Sequence, residues 1–129
     1  MFENLQVFQM ASAVAAHAGA RQAVIARNMA NADTPGYVAR DIAPFHAETA
    51  PQMPAFSLKT TRPTHFGPPA ETTAFVAEDR PGTAADPNGN SVSLETEMIH
   101  AVNTKREHDK ALAVYRSSLQ VLRTVIGRG

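Results

Sequence analysis

The residues of this chain with the most chemical potential lie between Asp86 and His100. Glu97-Met98-Ile99-His100 has the Glu-x-x-His spacing used by di-iron helix bundles. Such a centre needs a second pair and two further carboxylates facing it, and the sequence supplies no second pair. The preceding run, Asp86-Pro-Asn-Gly-Asn-Ser, imitates a calcium loop: Asn88, Asn90 and Glu97 fall at its third, fifth and twelfth positions. Its sixth position is Ser91, where an EF-hand needs glycine, and the Pro-Gly-rich residues before it cannot form the entering helix. The plainer reading is a turn at Pro87-Asn88-Gly89 that feeds a helix. The five histidines (17, 46, 65, 100 and 108) show no close metal-ligand spacing, so they read as solvated or locally hydrogen-bonded side chains. Ser117 and Ser118 have no motif-level base, and there is no glycine-rich phosphate loop. With no cysteine, thiol nucleophiles, disulfides and zinc-thiolate sites are excluded. The expectation is no catalysis, no metal and no cofactor.

The elements around these residues fall into three segments. From about residue 4 to 32 there is one glycine and no proline. Phe8, Ala11, Ala15, Ala18, Gln22, Ile25, Met29 and Ala32 follow the alternating three-and-four spacing of a helix that packs on another helix. Alanine favours helix but buries little area per residue. The middle, about 33–91, holds eight of the nine prolines after Asp41. It reads as irregular, with a possible short β-hairpin from "AFSLKTT" (55–61) and "ETTAFVAE" (71–78). Helix returns over about 92–127. Asn90, Ser91 and Ser93 are candidate caps, Glu95 and Glu97 place negative charge in the first turn, and Gly127 and Gly129 supply the stop. Its seam is Leu94, Met98, Ala101, Lys105, His108, Leu112, Tyr115, Leu119, Leu122 and Ile126. The run Lys105 to Lys110 carries both signs and reads as a solvated face or an ion-pair patch between subunits. The fold class is mainly α, one domain, with the terminal helices packed as an antiparallel coiled-coil-like pair. Two such helices leave faces open, so the sequence looks built to be completed by other copies. The free chain is expected to be only partly ordered, because ordering costs about 1–2 kcal/mol per residue.

Twelve basic and twelve acidic residues give no net charge, which argues against binding nucleic acid by bulk phosphate neutralisation. No run approaches the roughly 20 apolar residues of a membrane span. "MASAVAAHA" (10–18) faintly imitates a signal core. The residues before it carry Glu3 and no lysine or arginine, so a cleavable signal is not expected.

The sharpest local feature is Ala26–Asp41, "ARNMANADTPGYVARD". Pro35 has no N–H and disfavours helical Thr34, so a helix through Met29 must stop near Asp33. Thr34-Pro35-Gly36-Tyr37 places Pro and Gly at the central positions of a type II turn, which requires positive φ at Gly36. This stretch closely resembles the N-terminal motif of the flagellar axial proteins, the rods, hooks and hook-associated proteins. In that family a long helix ends in Asn-x-Ala-Asn-x-x-Thr-Pro-Gly-Tyr, here Asn28, Ala30, Asn31, Thr34, Pro35, Gly36 and Tyr37. The short length, "LKTTRPTHF" (58–66) and "DPNGNSVSLETEM" (86–98) are similar to proximal rod members, with the FlgC type as the closest alternative. A helical-hairpin adaptor is the rival outside the family.

The resemblance implies a structural subunit that passes unfolded through the flagellar type III export channel without a cleaved signal. Such a subunit stacks with copies of itself and with other rod proteins (FlgC, FlgF, FlgG) into a hollow periplasmic drive shaft. It implies contact with the FliE adaptor and with membrane-ring and export-gate proteins at the base. On this reading Phe8, Ala15, Ile25, Met29, Leu94, Met98, Leu112, Tyr115, Leu119, Leu122 and Ile126 form the assembly seam. The motif is the exit from the axial helix layer: Asn28 and Asn31 satisfy neighbouring groups, Pro35-Gly36 sets the exit angle and Tyr37 anchors the elbow.

Overall fold

A computed structural model describes residues 2–46, 75–80 and 85–127. Helix α1 runs Phe2–Ala30, strand β1 Arg40–Ile42, strand β2 Ala77–Asp79 and helix α2 Leu94–Ile126. The helices are antiparallel: Phe8 of α1 meets Tyr115 of α2 edge-to-face at 5.1 Å, whereas Asn28 meets Glu97 at the other end. The strands pair antiparallel, with Arg40 opposite Asp79, Asp41 opposite Glu78 and Ile42 opposite Ala77.

Each boundary has a local cause. The Asn31 N–H is shared between the carbonyls of Arg27 (3.2 Å) and Asn28 (3.0 Å), which tightens the last turn and ends α1 two residues before the expected limit. Of the three candidate caps for α2, Ser93 is the one used. It is extended (φ −96°, ψ 114°) and its hydroxyl accepts from the Thr96 N–H, so the helix begins at Leu94 rather than near Val92. Gly127 closes the helix by donating to the Arg123 carbonyl at 2.8 Å.

The sheet differs from the expected hairpin. Its first strand is the chain just past the elbow, Arg40–Ile42, and its second is the tail of the 71–78 stretch plus Asp79. The piece at 55–61 and residues 71–74 lie outside the described residues. A three-residue strand with two charges, Arg-Asp-Ile, carries no alternation long enough to be read as a strand; it is ordered by what it packs against.

The interior between the helices is narrow. On α1 the fully buried apolar positions are Ala11, Ala18 and Ile25, seven residues apart, with Val24 beside them. Phe8, Ala15, Met29 and Ala32 are half-buried, and Gln22 is exposed. On α2 the buried positions are Glu97, Thr104 and Ala111, again seven apart. This corrects the expected α2 seam as the buried contact with α1: Leu94, Met98 and Ile126 are exposed, Leu112, Leu119 and Leu122 are half-buried, and Tyr115 meets Phe8 of α1 while staying 38% exposed. The physical reason is size. Thr104 and Ala111 take the buried positions opposite the alanines of α1, which leaves Leu112, Leu119 and Leu122 at the half-buried edges of the contact and Leu94, Met98 and Ile126 on the exposed face. At the elbow end Ile42, Ala39 and Val92 complete the core. His17 is buried between the rings of Phe45 and Phe75, and its Nε2–H donates to the Ala43 carbonyl at 2.8 Å.

The turn after α1 has the geometry anticipated for it. The Tyr37 N–H donates to the Thr34 carbonyl at 3.3 Å, and Gly36 sits at φ 71°. A Cβ at Gly36 meets no atom within 4 Å, so the constraint there is backbone conformation rather than space. Gly36→Val is therefore expected to cost on the order of 1–2 kcal/mol, because a β-branched residue strongly disfavours left-handed φ. Thermal denaturation followed by circular dichroism should show a midpoint lower by about 4 °C or more, whereas an unchanged midpoint would show that the turn does not constrain the fold.

Candidate functional site

The motif at the end of α1 and the segment leading into α2 form one polar elbow. It starts from Asn28, which is 0% exposed. Its Nδ2 donates to the Arg40 carbonyl at 2.7 Å and to Glu97 Oε2 at 3.0 Å. Its Oδ1 accepts from the Arg40 N–H at 3.1 Å and from the Tyr37 hydroxyl at 3.3 Å. Both donors and the acceptor of the carboxamide are thus engaged. The two bonds to Arg40 have a simple origin. The Arg80 N–H donates to the Ala39 carbonyl at 2.8 Å. In the alternation of an antiparallel ladder, the next residue, Arg40, turns its own N–H and C=O away from β2. The Asn28 amide takes both, as a neighbouring strand would.

Behind Asn28 lies a chain of charges. Glu97, also 0% exposed, accepts from Asn28 through one oxygen and from Arg80 NH1 through the other. Arg80 NH2 lies 3.7 Å from Asp41, and Arg21 grips Asp41 with two hydrogen bonds of 2.8 Å. Burial alone would push the Asp41 carboxyl up. The hydrogen bonds and charge of Arg21, the Ile42 N–H and the Arg80 charge outweigh it, so its pKa is held below the ordinary carboxylate value. The Arg21 guanidinium is shifted up, chiefly by its hydrogen bonds to Asp41 against the opposing effect of burial. α1, β1, the residue after β2 and α2 are therefore joined by one row of alternating charges.

Asn90 holds the outer side. It is 1% exposed, and its Nδ2 points at three carbonyls at the end of α1 and in the turn: Asn31 (3.0 Å), Ala32 (2.7 Å) and Thr34 (2.9 Å). Its Oδ1 accepts from the Val92 N–H at 2.7 Å. Backbone bonds from Gly36 N–H to the Asn88 carbonyl and from Ser91 N–H to the Tyr37 carbonyl tie the segments edge to edge. The Ser91 hydroxyl accepts from the Ala39 N–H at 2.9 Å. Gly89 packs against Gly36 at φ 78°, close enough that a Cβ there would stand 3.4 Å from the Gly36 Cα.

The motif residues divide accordingly. Asn28 and Tyr37 face the interior. Asn31 is half-buried, donating to the Arg27 carbonyl at 2.8 Å and accepting from the Thr34 hydroxyl at 3.2 Å. Ala30, Thr34, Pro35 and Gly36 line the exposed rim. Glu97, Arg80, Asp41 and Arg21 escaped the sequence reading as a group, since no local pattern links them. The only trace was the seven-residue spacing of Glu97, Thr104 and Ala111. Asn90 closes the end of α1 rather than capping α2. The calcium-like run is a turn, with the Asp86 N–H on the Asn90 carbonyl and the Asn90 N–H on Asn88 Oδ1. Within the run Lys105 to Lys110, Lys105 and Asp109 pair one helical turn apart on the exposed face at 2.9 Å. Among the described residues, no three His, Asp or Glu side chains are grouped to hold a metal ion.

The stretch from the middle of α1 to the elbow carries the family signature: a family model for the flagella basal body rod protein matches residues 11–37, ending at Tyr37. Among curated proteins, the flagellar basal body rod protein FlgB of Agrobacterium fabrum is 30% identical over 129 residues, covering 98% of this chain and 96% of that one. FlgB of Aeromonas hydrophila is 31% identical over 103 residues (79% and 78% of the two chains), and FlgB of Escherichia coli K12 is 28% identical over 121 residues (84% of each). The chain belongs to the FlgB family of flagellar basal body rod proteins. It is a structural component of the rod in the flagellar basal body.

The charge row makes a pH prediction. Because the Asp41 pKa is lowered in the folded chain, its contribution to stability is complete above the unfolded value of about 3.9 and is lost as pH falls through the folded value. Asp41→Asn lacks that contribution. Unfolding of the two proteins compared across pH should show their largest difference above about pH 5 and a narrowing gap below about pH 4. A gap independent of pH would remove Asp41 from the row.

Proposed function

We propose that this chain is a proximal-rod subunit that builds the base of the flagellar drive shaft with copies of itself and with FlgC, FlgF and FlgG. On this reading it meets the FliE adaptor and the membrane-ring and export-gate proteins, and it works in the periplasm as one rod-type domain. It leaves the cytoplasm unfolded through the type III export channel without a cleaved signal. It is not an enzyme, and it needs no nucleic acid or cofactor. Among the described residues, no helix is long and apolar enough to cross a membrane.

The observation that carries this reading is the outward apolar surface of the helix pair. Met98 (55%), Ile99 (62%), Val102 (58%), Val125 (61%) and Ile126 (75%) are exposed in the single chain, as are Val7 and Met10 on α1. Surface of this kind on a family of rod proteins is what neighbouring subunits cover. The interior has the opposite character, with its polar groups directed at one another. The elbow then works as a stiff corner: it sets the angle at which each chain leaves the helical layer, and torque is carried by helices that cannot swing independently at that end. The shared FlgB identity of the relatives favours this reading over the FlgC-like alternative, and the open apolar face favours it over a self-sufficient hairpin adaptor.

The end of α2 offers the test that separates export from assembly. Residues 119–126 carry Leu119, Leu122, Val125 and Ile126, and burying each side chain fully contributes about 1.5–3 kcal/mol. A chain ending at Ser118 should lose several kcal/mol of packing per subunit, most of it in contacts made only in the assembled rod. Cells carrying it should be non-motile and lack hooks, while a secretion assay still finds the truncated protein outside the cytoplasm. Normal rods built from the truncated chain would show that this end is not an assembly surface.

A further inference from the structure

The small residues in the contact between α1 and α2 discriminate little between axial positions. The residues that α1 buries at seven-residue intervals are Ala11, Ala18 and Ile25, and those of α2 are Glu97, Thr104 and Ala111. Ala11 and Ala111 line one groove between the helices, and Ala18 and Thr104 line the next. Sliding α2 by one heptad, about 10 Å, sets Ala11 against Thr104 or against Ser118. Either way Ala11 still faces a small residue; Ile25, the one large member of the stripe, would exchange Glu97 for Thr104 or for the segment before α2, and the exposed-end contact of Phe8 with Tyr115 would be lost. The Thr104 hydroxyl has no hydrogen-bond partner among the described residues, so it does not hold the native position. The long connection from Ala30 to Leu94 does not by its length forbid the shift, although residues 88–91 are bonded to 31–39 just before α2 and a shift would also have to release or stretch those bonds.

What a heptad shift cannot reproduce is the buried triad at the elbow end. Glu97 is the charged residue of α2's buried stripe, and it meets two groups of fixed position: the Asn28 carboxamide on α1 and the Arg80 guanidinium beside β2. After a shift Glu97 would face the alanines of α1 or leave the interface, and Asn28 and Arg80 would lose the carboxylate that α2 supplies to them. An ionised side chain buried without partners is heavily penalised. We infer that Asn28, Glu97 and Arg80 act as the register pin of the helix pair, determining which outward face of α2 lies beside which face of α1. The pin therefore decides the contact surface that a subunit presents. It is a property of the single chain and does not depend on where in the rod the chain sits.

The absence of cysteine allows a direct test in the full-length chain. Three reporter pairs are introduced separately: Ala11→Cys with Ala111→Cys for the native register, and Ala11→Cys with Thr104→Cys or with Ser118→Cys for shifts of one heptad in either direction. Disulfide yield under mild oxidation is compared between the native triad and a variant carrying Glu97→Leu and Arg80→Met. That variant removes the charges together, so no lone buried ion is left to unfold it. A second variant, Asn28→Ala, is measured in parallel, and circular dichroism monitors helix content. With the native triad, the 11–111 pair should dominate by at least about tenfold. In the double variant, helix content should persist while the shifted pairs rise to within about threefold of the native one; Asn28→Ala should move the same way. Native-only crosslinking in the double variant would overturn the inference. So would loss of its helix content, because the triad would then be holding the helices together rather than choosing their register.

Discussion

The Asn28 carboxamide is the interaction on which the elbow depends. It sits between α1, β1 and α2 with no access to water, and every hydrogen-bonding position it has is taken. No other short side chain offers two donors and a two-sided acceptor in one plane. Aspartate lacks the donors, and would set a second carboxylate against Glu97. Leucine would leave the Arg40 N–H and C=O buried without partners, at a cost of about 1–3 kcal/mol each. The surrounding core is too thin to absorb such losses. Its larger apolar members in the described residues are Val24, Ile25, Ile42 and Val92, and the rest are alanines.

A single physical logic connects this site to the helices. Alanine lets α1 and α2 approach closely but supplies little specificity, so the specific contacts are polar and gathered at one end. From Asn28 the bonds run to Glu97, Arg80, Asp41 and Arg21 on one side, and the Asn90 amide closes the carbonyl end of α1 on the other. At the opposite end the large contact among the described side chains is that of Phe8 with Tyr115. The helix pair is therefore anchored at its elbow and open along its length. A subunit built this way has a fixed corner and adaptable sides, which suits a rod component that has to pack against more than one neighbour.

Much of this arrangement was legible in the residues themselves. Both helices follow from the absence of proline and from alanine-rich periodicity, and the elbow follows from Pro35 and Gly36, because those features act within a few residues of where they stand. The register and the charge row were not legible, and the reason is distance along the chain. Asn28 and Glu97 are 69 residues apart, and Ala39 and Ser91 are 52 apart. Hydrophobicity also misdirected the reading of α2. Its most apolar stripe was expected to face α1, whereas the buried stripe is Glu97, Thr104 and Ala111, two polar residues and an alanine. Small side chains took the buried stripe, and the larger aliphatic groups stand at its half-buried edges or on the exposed face. Glu97 looked like a first-turn acid of the kind a helix dipole favours, a role that Glu95 fills on the exposed face without any burial.

The central claim is that the Asn28 side chain replaces a missing strand at Arg40, and the Arg40 amide reports on it directly. Its N–H faces away from β2 and donates to Asn28 Oδ1 at 3.1 Å. Residue-resolved hydrogen exchange on the native chain should find the Arg40 amide among the protected positions of the elbow, with Asn28→Ala accelerating its exchange by an order of magnitude or more while amides in the middle of α1 change much less. An Arg40 amide that exchanges at the rate of an unprotected peptide in the native chain, or whose exchange is unmoved by Asn28→Ala, would contradict the account.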